Sequence, residues 1–178
     1  SHYLLNNHDY LRAPSAIHRL RATAAVRAGV FPQAGREIEL ALAATPTDTQ
    51  LVEDLVPLLE QAGRQPQADA LFGTVLTAIA DQLQRYPQSA LLHNNLAWVS
   101  ARCHRRLDDA LQHALRAVEL DPDNAAYLDT LAEAHFRLGD RDAAVRHSRR
   151  AVQRRPQDAT LQEQLRRFEQ APLPEPGQ

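Results

Sequence analysis

Residue types recur along this chain at an interval of 34, and few folds accommodate that. Pro122 and Pro156 are 34 apart, as are Ala110 and Ala144, and Ala117 and Ala151. The same interval separates Gly29 from Gly63 and Ala34 from Ala68. The segments Gly29-Val30-Phe31-Pro32-Gln33-Ala34 and Gly63-Arg64-Gln65-Pro66-Gln67-Ala68 share four of six residues. Such self-similarity marks an array in which each unit buries its apolar face on its neighbours.

Composition says what the units are made of. Aromatics are 5% of the 178 residues and there are 6 Gly, which disfavours sheet and favours Ala- and Leu-built helices. A 44% hydrophobic content is enough for a core, and the 24% charged content excludes a disordered tail. No apolar run approaches the ~18 residues of a membrane span. Cys103 is the single cysteine, which rules out an internal disulfide framework and a Cys-rich zinc module. All 20 basic residues are Arg, and there is no Met. The expectation is a bacterial chain from a GC-rich genome, of the cytoplasm or periplasm, beginning downstream of its native start.

Turn chemistry divides each unit into two helices, A and B. Gly29, Gly63 and Gly139 stand where helix A ends and a left-handed residue closes the helix. Pro32 and Pro66 suit the first turn of helix B, where a missing N–H leaves no bond unmade. Pro46, Pro122 and Pro156 follow helix B, which they cannot continue. Asp48, Ser89 and Asp158 read as N-caps, and Thr160 with Glu163 has capping-box spacing. Ala97, Ala110, Ala117, Ala132, Ala144 and Ala151 are small enough to let helix backbones approach closely.

The period and these residues resemble the tetratricopeptide repeat (TPR). Ala117-Val118-Glu119-Leu120-Asp121-Pro122-Asp123-Asn124 is similar to the end of that family's repeat, and Leu131-Ala132, Gly139-Asp140, Ala144, Ala151 and Pro156 follow its pattern. The first unit offers Leu20, Gly29, Ala34, Ala41 and Pro46; the second offers Leu55, Gly63, Ala68 and Phe72. The resemblance covers residues 15–158 and implies an all-α, right-handed TPR helical-repeat solenoid. It places TPR 1 at 15–48, TPR 2 at 49–88 with an extended second helix, TPR 3 at 89–124 and TPR 4 at 125–158. Residues 1–14 are expected to be an N-terminal cap or part of a preceding repeat, with Tyr3, Tyr10 and Leu11 available to enter the groove. Residues 159–170 are expected to form a capping helix presenting Leu161, Leu165 and Phe168, and residues 171–178 a flexible Pro-rich tail.

Three departures stand out. The spacing from Ala68 to Ala110 is 42, so eight residues are inserted: one between Leu96 and Ala110, the rest near residues 77–87, where the second helix B should run about two turns further. Pro57 lies inside the second helix A and is expected to kink or shorten it. The first helix A is one residue out of phase, Leu20 to Gly29 being 9 where Leu55 to Gly63 is 8.

The resemblance also implies function: a non-catalytic scaffold that binds a peptide or protein in a concave groove lined by the A helices. The family's groove positions fall on Glu53 and Glu60; on Asn94, Trp98 and Arg102; and on Asp129, Glu133 and Arg137, with Phe136 at the edge. Asn94, Trp98 and Arg102 share one helix face, combining stacking with charged hydrogen bonding. The alternative is that Trp98 merely packs between helices displaced by the inserted residue. The family's clamp for acidic chaperone tails needs Lys and Asn donors; with no Lys, and with Glu53 and Pro57 at two of its positions, that ligand is disfavoured.

Charge is uneven: residues 48–81 carry −5 and residues 137–167 carry +5, within a net −2. A second copy of the chain, docking by charge, is therefore the alternative partner, and an accessory segment of a larger enzyme or assembly machine is a third reading. Nucleic acid is disfavoured because only Phe136 and Phe168 accompany the arginines as stacking platforms. No HExxH, phosphate loop or GxSxG occurs, so no catalytic residue, metal site or cofactor is expected. His113 and His147 recur at the repeat period, and His104 and Asp108 are read as a surface pair.

Overall fold

A computed structural model of the chain describes residues 7–170 and Pro172, with side chains from Pro14 onward. The reading of residues 1–14 as a cap with Tyr3, Tyr10 and Leu11 available to the groove concerns side chains outside that range, as does most of the tail from 171. Among the described residues there are nine α-helices and no strand: α1 (Asn7–Arg27), α2 (Phe31–Ala44), α3 (Thr49–Gln61), α4 (Gln65–Arg85), α5 (Ala90–Arg102), α6 (Leu107–Leu120), α7 (Ala125–Arg137), α8 (Arg141–Arg154) and α9 (Ala159–Gln170). The chain divides into two compact units, the first ending at Ile79 and the second beginning at Ala80, within α4.

Four turns join helix A to helix B, and all four close in the same way. Gly139 N–H donates to Phe136 O and Asp140 N–H to His135 O, the two bonds of a Schellman motif. Gly29 with Val30 and Gly63 with Arg64 repeat the pattern after α1 and α3. After α5 the glycine is missing. His104 occupies its place with φ 53, donating to Ala101 O, while Arg105 N–H donates to Ser100 O. Arg106, also left-handed at φ 51, is the extra residue before α6. Each left-handed residue with a Cβ costs about 1 kcal/mol or more, which glycine avoids. His104→Gly is therefore expected to stabilise the second unit by roughly 0.5–1 kcal/mol. An unchanged or lower midpoint in urea unfolding would contradict this.

The other helix ends follow the sequence. Asp48 accepts from Gln50 N–H, Ser89 from Leu92 N–H, and Asn124 from Ala126 N–H. Asp158, rather than Thr160, caps α9 through Thr160 N–H and Leu161 N–H. α4 has 21 residues, seven more than the 14 of α2, α6 and α8. Pro57 does not shorten its helix: α3 has 13 residues, as do α5 and α7.

In the first unit, α1 packs against α2 and α3. Ser15 Oγ donates to Asp48 Oδ2 at 2.6 Å, and Arg19 pairs with Asp54, so α1 is tied to both the cap and the body of α3. Leu20 is not the core leucine of this unit. It is 66% exposed while Ala22, Ala25 and Val26 are buried, because the phase slip in helix A turns Leu20 outward.

The second unit stacks α5 on α6 and α7, α7 on α8, and α9 on α8 and α7. Ala97, Ala114, Leu131 and Ala134 form one buried cluster with Leu111 and Val118 against it. Ala125, Leu128, Ala151 and Leu161 form a second. Ala132, Phe136, Ala144 and Phe168 form a third, in which the two rings are 5.1 Å apart. Alanines at the crossings bring backbones together, and α9 supplies Leu161 and Phe168 to the last two clusters.

Candidate functional site

The site in the second unit follows from repeat register. Equivalent residues of α5 and α7 are 35 apart, one more than the period because of Arg106, so Asn94 corresponds to Asp129, Trp98 to Glu133 and Arg102 to Arg137. From α7 to α9 the offset returns to 34, and Glu133 corresponds to Arg167. Helices that pack side by side place such equivalents near one another.

Glu133 is the centre of this arrangement. It is fully buried, and a buried carboxylate requires compensating partners. Arg137, one turn along α7, donates from Nε to Oε1 at 2.6 Å. Arg167 of α9 pairs with the other oxygen, Oε2. The Arg167 guanidinium also lies 5.3 Å from the Phe136 ring centre and 4.6 Å from that of Phe168. Arg137 in turn donates from Nη1 to His104 Nε2, which must then be the unprotonated ring nitrogen. The left-handed turn residue thus ends a chain running His104, Arg137, Glu133, Arg167.

Beside this chain the polar groups are less satisfied. Asp129 is 8% exposed, and its Oδ1 is buried with no hydrogen-bond partner. Burial, with the neighbouring Glu133 carboxylate, pushes its carboxyl up from the ordinary value to about 7. Across that window the native carboxyl holds a proton that the unfolded chain has released, so this group's contribution to stability falls as pH rises towards 7. On α5 the Asn94 Oδ1 is likewise buried and unpartnered. Trp98 is half-buried, and the exposed Arg102 lies over its ring with the guanidinium carbon 5.5 Å from the centre.

Not every groove position is presented to a partner. Phe136, expected at the edge, is 4% exposed and belongs to the core, because Phe168 from α9 packs on it. Glu133 is likewise enclosed, so its role is to hold Arg137 and Arg167 rather than to meet a ligand. Asn94, Trp98, Arg102, Asp129 and Arg137 remain as candidates for contact. Glu53, half-buried, and Glu60, exposed, lie on α3 of the first unit. His104 and Arg167 were not among the groove positions; the period pointed to Arg167, one repeat from Glu133, whereas only the displaced turn hinted at His104.

Two histidine pairs bridge helices A and B. His93 and His113 approach at 2.9 Å between Nδ1 atoms, with His93 Nε2 3.2 Å from Pro87 O. His135 and His147 stack with centres 5.4 Å apart, and Asp140 lies 3.4 Å from His135 Nδ1. Burial lowers the pKa of His113, His135 and His147 from the usual value, so these rings are held neutral as packing groups. Among the described residues no group of three or more His, Cys, Asp or Glu is placed to hold a metal ion, and no helix is long and apolar enough to cross a membrane. Of the α8 arginines, Arg141 donates to Phe168 O and Glu169 O at the end of α9, Arg149 pairs with Glu169 at 2.9 Å, and Arg154 pairs with Asp123.

No protein-family model matches the chain, and no curated protein matches it in sequence. Among solved structures it is similar to TTC0263, a thermophilic TPR protein of Thermus thermophilus, at 20% identity over 87% of this chain and 81% of that one, with a TM-score of 0.58. PilF of Pseudomonas aeruginosa matches 89% of this chain and 68% of its own at 14% identity and a TM-score of 0.48. The MamA protein matches 85% and 79% at 16% identity and 0.43. The fold assignment rests on the first.

Proposed function

Starting from a chain that folds as a TPR helical repeat, we propose that it is a non-catalytic interaction scaffold whose second unit binds an extended segment of a partner protein along the face of α5 and α7. One observation carries this reading. The face presents an exposed Arg102 lying over the half-buried Trp98 ring, with Asn94 one turn earlier on α5. Trp and Arg are the residue types that most often anchor interfaces. The pre-formed helices would lose little ordering entropy on binding.

The test is selection of linear peptides from a random phage-displayed library on the full chain, followed by calorimetry with the best peptide. Trp98→Ala is expected to weaken binding by about 2 kcal/mol or more, and Arg137→Glu to weaken it further. Unchanged affinity in a folded Trp98→Ala variant would place the site elsewhere. A second copy of the chain as partner is tested in the same samples by sedimentation at low and high salt. A monomer at every concentration removes that alternative.

A further inference from the structure

Two histidine pairs stand between the A and B helices of the second unit: His93 of α5 with His113 of α6, and His135 of α7 with His147 of α8. All four rings are half-buried, so protons from solvent reach them. In the first pair the tautomers are fixed. His93 Nε2 lies 3.2 Å from Pro87 O, which can only accept, so the proton of the neutral ring sits on Nε2. His93 Nδ1 is then an acceptor, and His113 donates to it from Nδ1 at 2.9 Å. One added proton, on His113 Nε2, leaves that bond in place. A second, on His93 Nδ1, sets two N–H donors against each other and breaks it. In the second pair the rings stack at 10° with centres 5.4 Å apart. Asp140, 3.4 Å from His135 Nδ1, balances one charge there, whereas Arg146 and Arg150 oppose another on His147. The remaining charged groups that bear on the pairs are Asp109 and Arg106, on His113, and Arg146, on His135. Each pair thus has one anion, Asp109 or Asp140, for two rings.

We propose that the two pairs form an acid-sensitive latch: each pair holds one added proton with its helices packed, and taking up a second loosens α5 from α6 and α7 from α8. The direction follows from linkage. Burial lowers the pKa of His113, His135 and His147, so below the ordinary histidine value the unfolded chain binds protons that the native rings refuse. The stability these rings contribute is therefore lost as pH falls. Asp129 acts in the opposite sense, because its native carboxyl holds a proton up to about 7. α5 and α7 also carry the proposed binding face, so opening the latch would remove that face; the latch itself does not depend on that reading.

The test unfolds the full chain in urea at about pH 7.5 and about pH 5, with Trp98, the single tryptophan, reporting the second unit. The comparison is His113→Gln/His147→Gln, in which each pair keeps one ring and the amide at position 113 can still donate to His93. Between those two pH values the unfolding equilibrium constant of the wild type is expected to rise more than about fivefold relative to that of the double variant, a ratio in which the Asp129 contribution cancels. A smaller change would overturn the proposal. If the double variant does not fold, the wild type decides by NMR. His113 and His147 are expected to titrate below the ordinary histidine value, with amide protection across α5 to α8 falling as the rings become charged. Rings that titrate at the ordinary value, or that become fully charged with protection unchanged, would overturn it.

Discussion

Phe168→Ala is expected to destabilise the second unit by about 3–5 kcal/mol, the range for truncating a fully buried aromatic. The side chain is completely enclosed by Ala132, Phe136 and Ala144, three positions that cannot grow to fill the void. Its ring lies 5.1 Å from that of Phe136, and the Arg167 guanidinium lies over its face. Losing the ring therefore removes area burial, an aromatic pair and a cation–π contact together. α9 has 12 residues, too few for a stable isolated helix, so its order depends on docking against α7 and α8. Urea unfolding monitored by far-ultraviolet circular dichroism reads the effect. A loss below about 1 kcal/mol would show that α9 docks by other contacts.

Glu133→Ala is expected to cost about 3 kcal/mol, for a different reason. Beyond the void left by a fully buried side chain, the substitution strands Arg137 and Arg167, which now divide its two carboxylate oxygens. Most of the loss is the penalty of leaving two half-buried guanidiniums without an anion, not the net value of the ion pairs. The two contributions separate experimentally. Glu133→Leu combined with Arg137→Met and Arg167→Met should regain most of the stability, because a well-packed apolar triad avoids desolvation altogether. The same triple variant should lose peptide binding, since Arg137 is one of the proposed contacts. A triple variant as unstable as Glu133→Ala would mean that the charges themselves hold α7 to α9.

Much of the fold was legible because its signals are local. The left-handed glycines, the prolines after each helix B and the caps Asp48, Ser89 and Asp158 act over one turn of chain and need no tertiary information. The two extra turns of α4 could be counted from the spacings of Ala68, Leu96 and Ala110. Legibility fails where one helix decides the fate of a residue on another. Phe136 occupies an edge position within its own repeat, but Phe168 from α9 buries it. Leu20 looks like a core residue by type, yet phase turns it to solvent. Glu133 looks like a groove acid until Arg167 arrives from one period away. His104 is the hardest case: no glycine marks its turn, and its left-handed backbone is imposed by the Schellman bonds around it. Reading columns of equivalent residues down the repeats, rather than faces of single helices, recovers the Glu133–Arg167 pair and the Asn94–Asp129 alignment.

Trp98 is the only tryptophan in the chain, and it stands on the proposed binding face, so its fluorescence reports that face without any label. Titrating a selected peptide that itself lacks Trp into the full chain while following Trp98 emission is the most direct measurement of whether α5 and α7 form the binding surface. A saturable change in emission, with a midpoint matching the calorimetric affinity and absent with a scrambled peptide of the same composition, is the expected result. Calorimetric binding with no change in Trp98 emission would contradict it and move the partner away from this face.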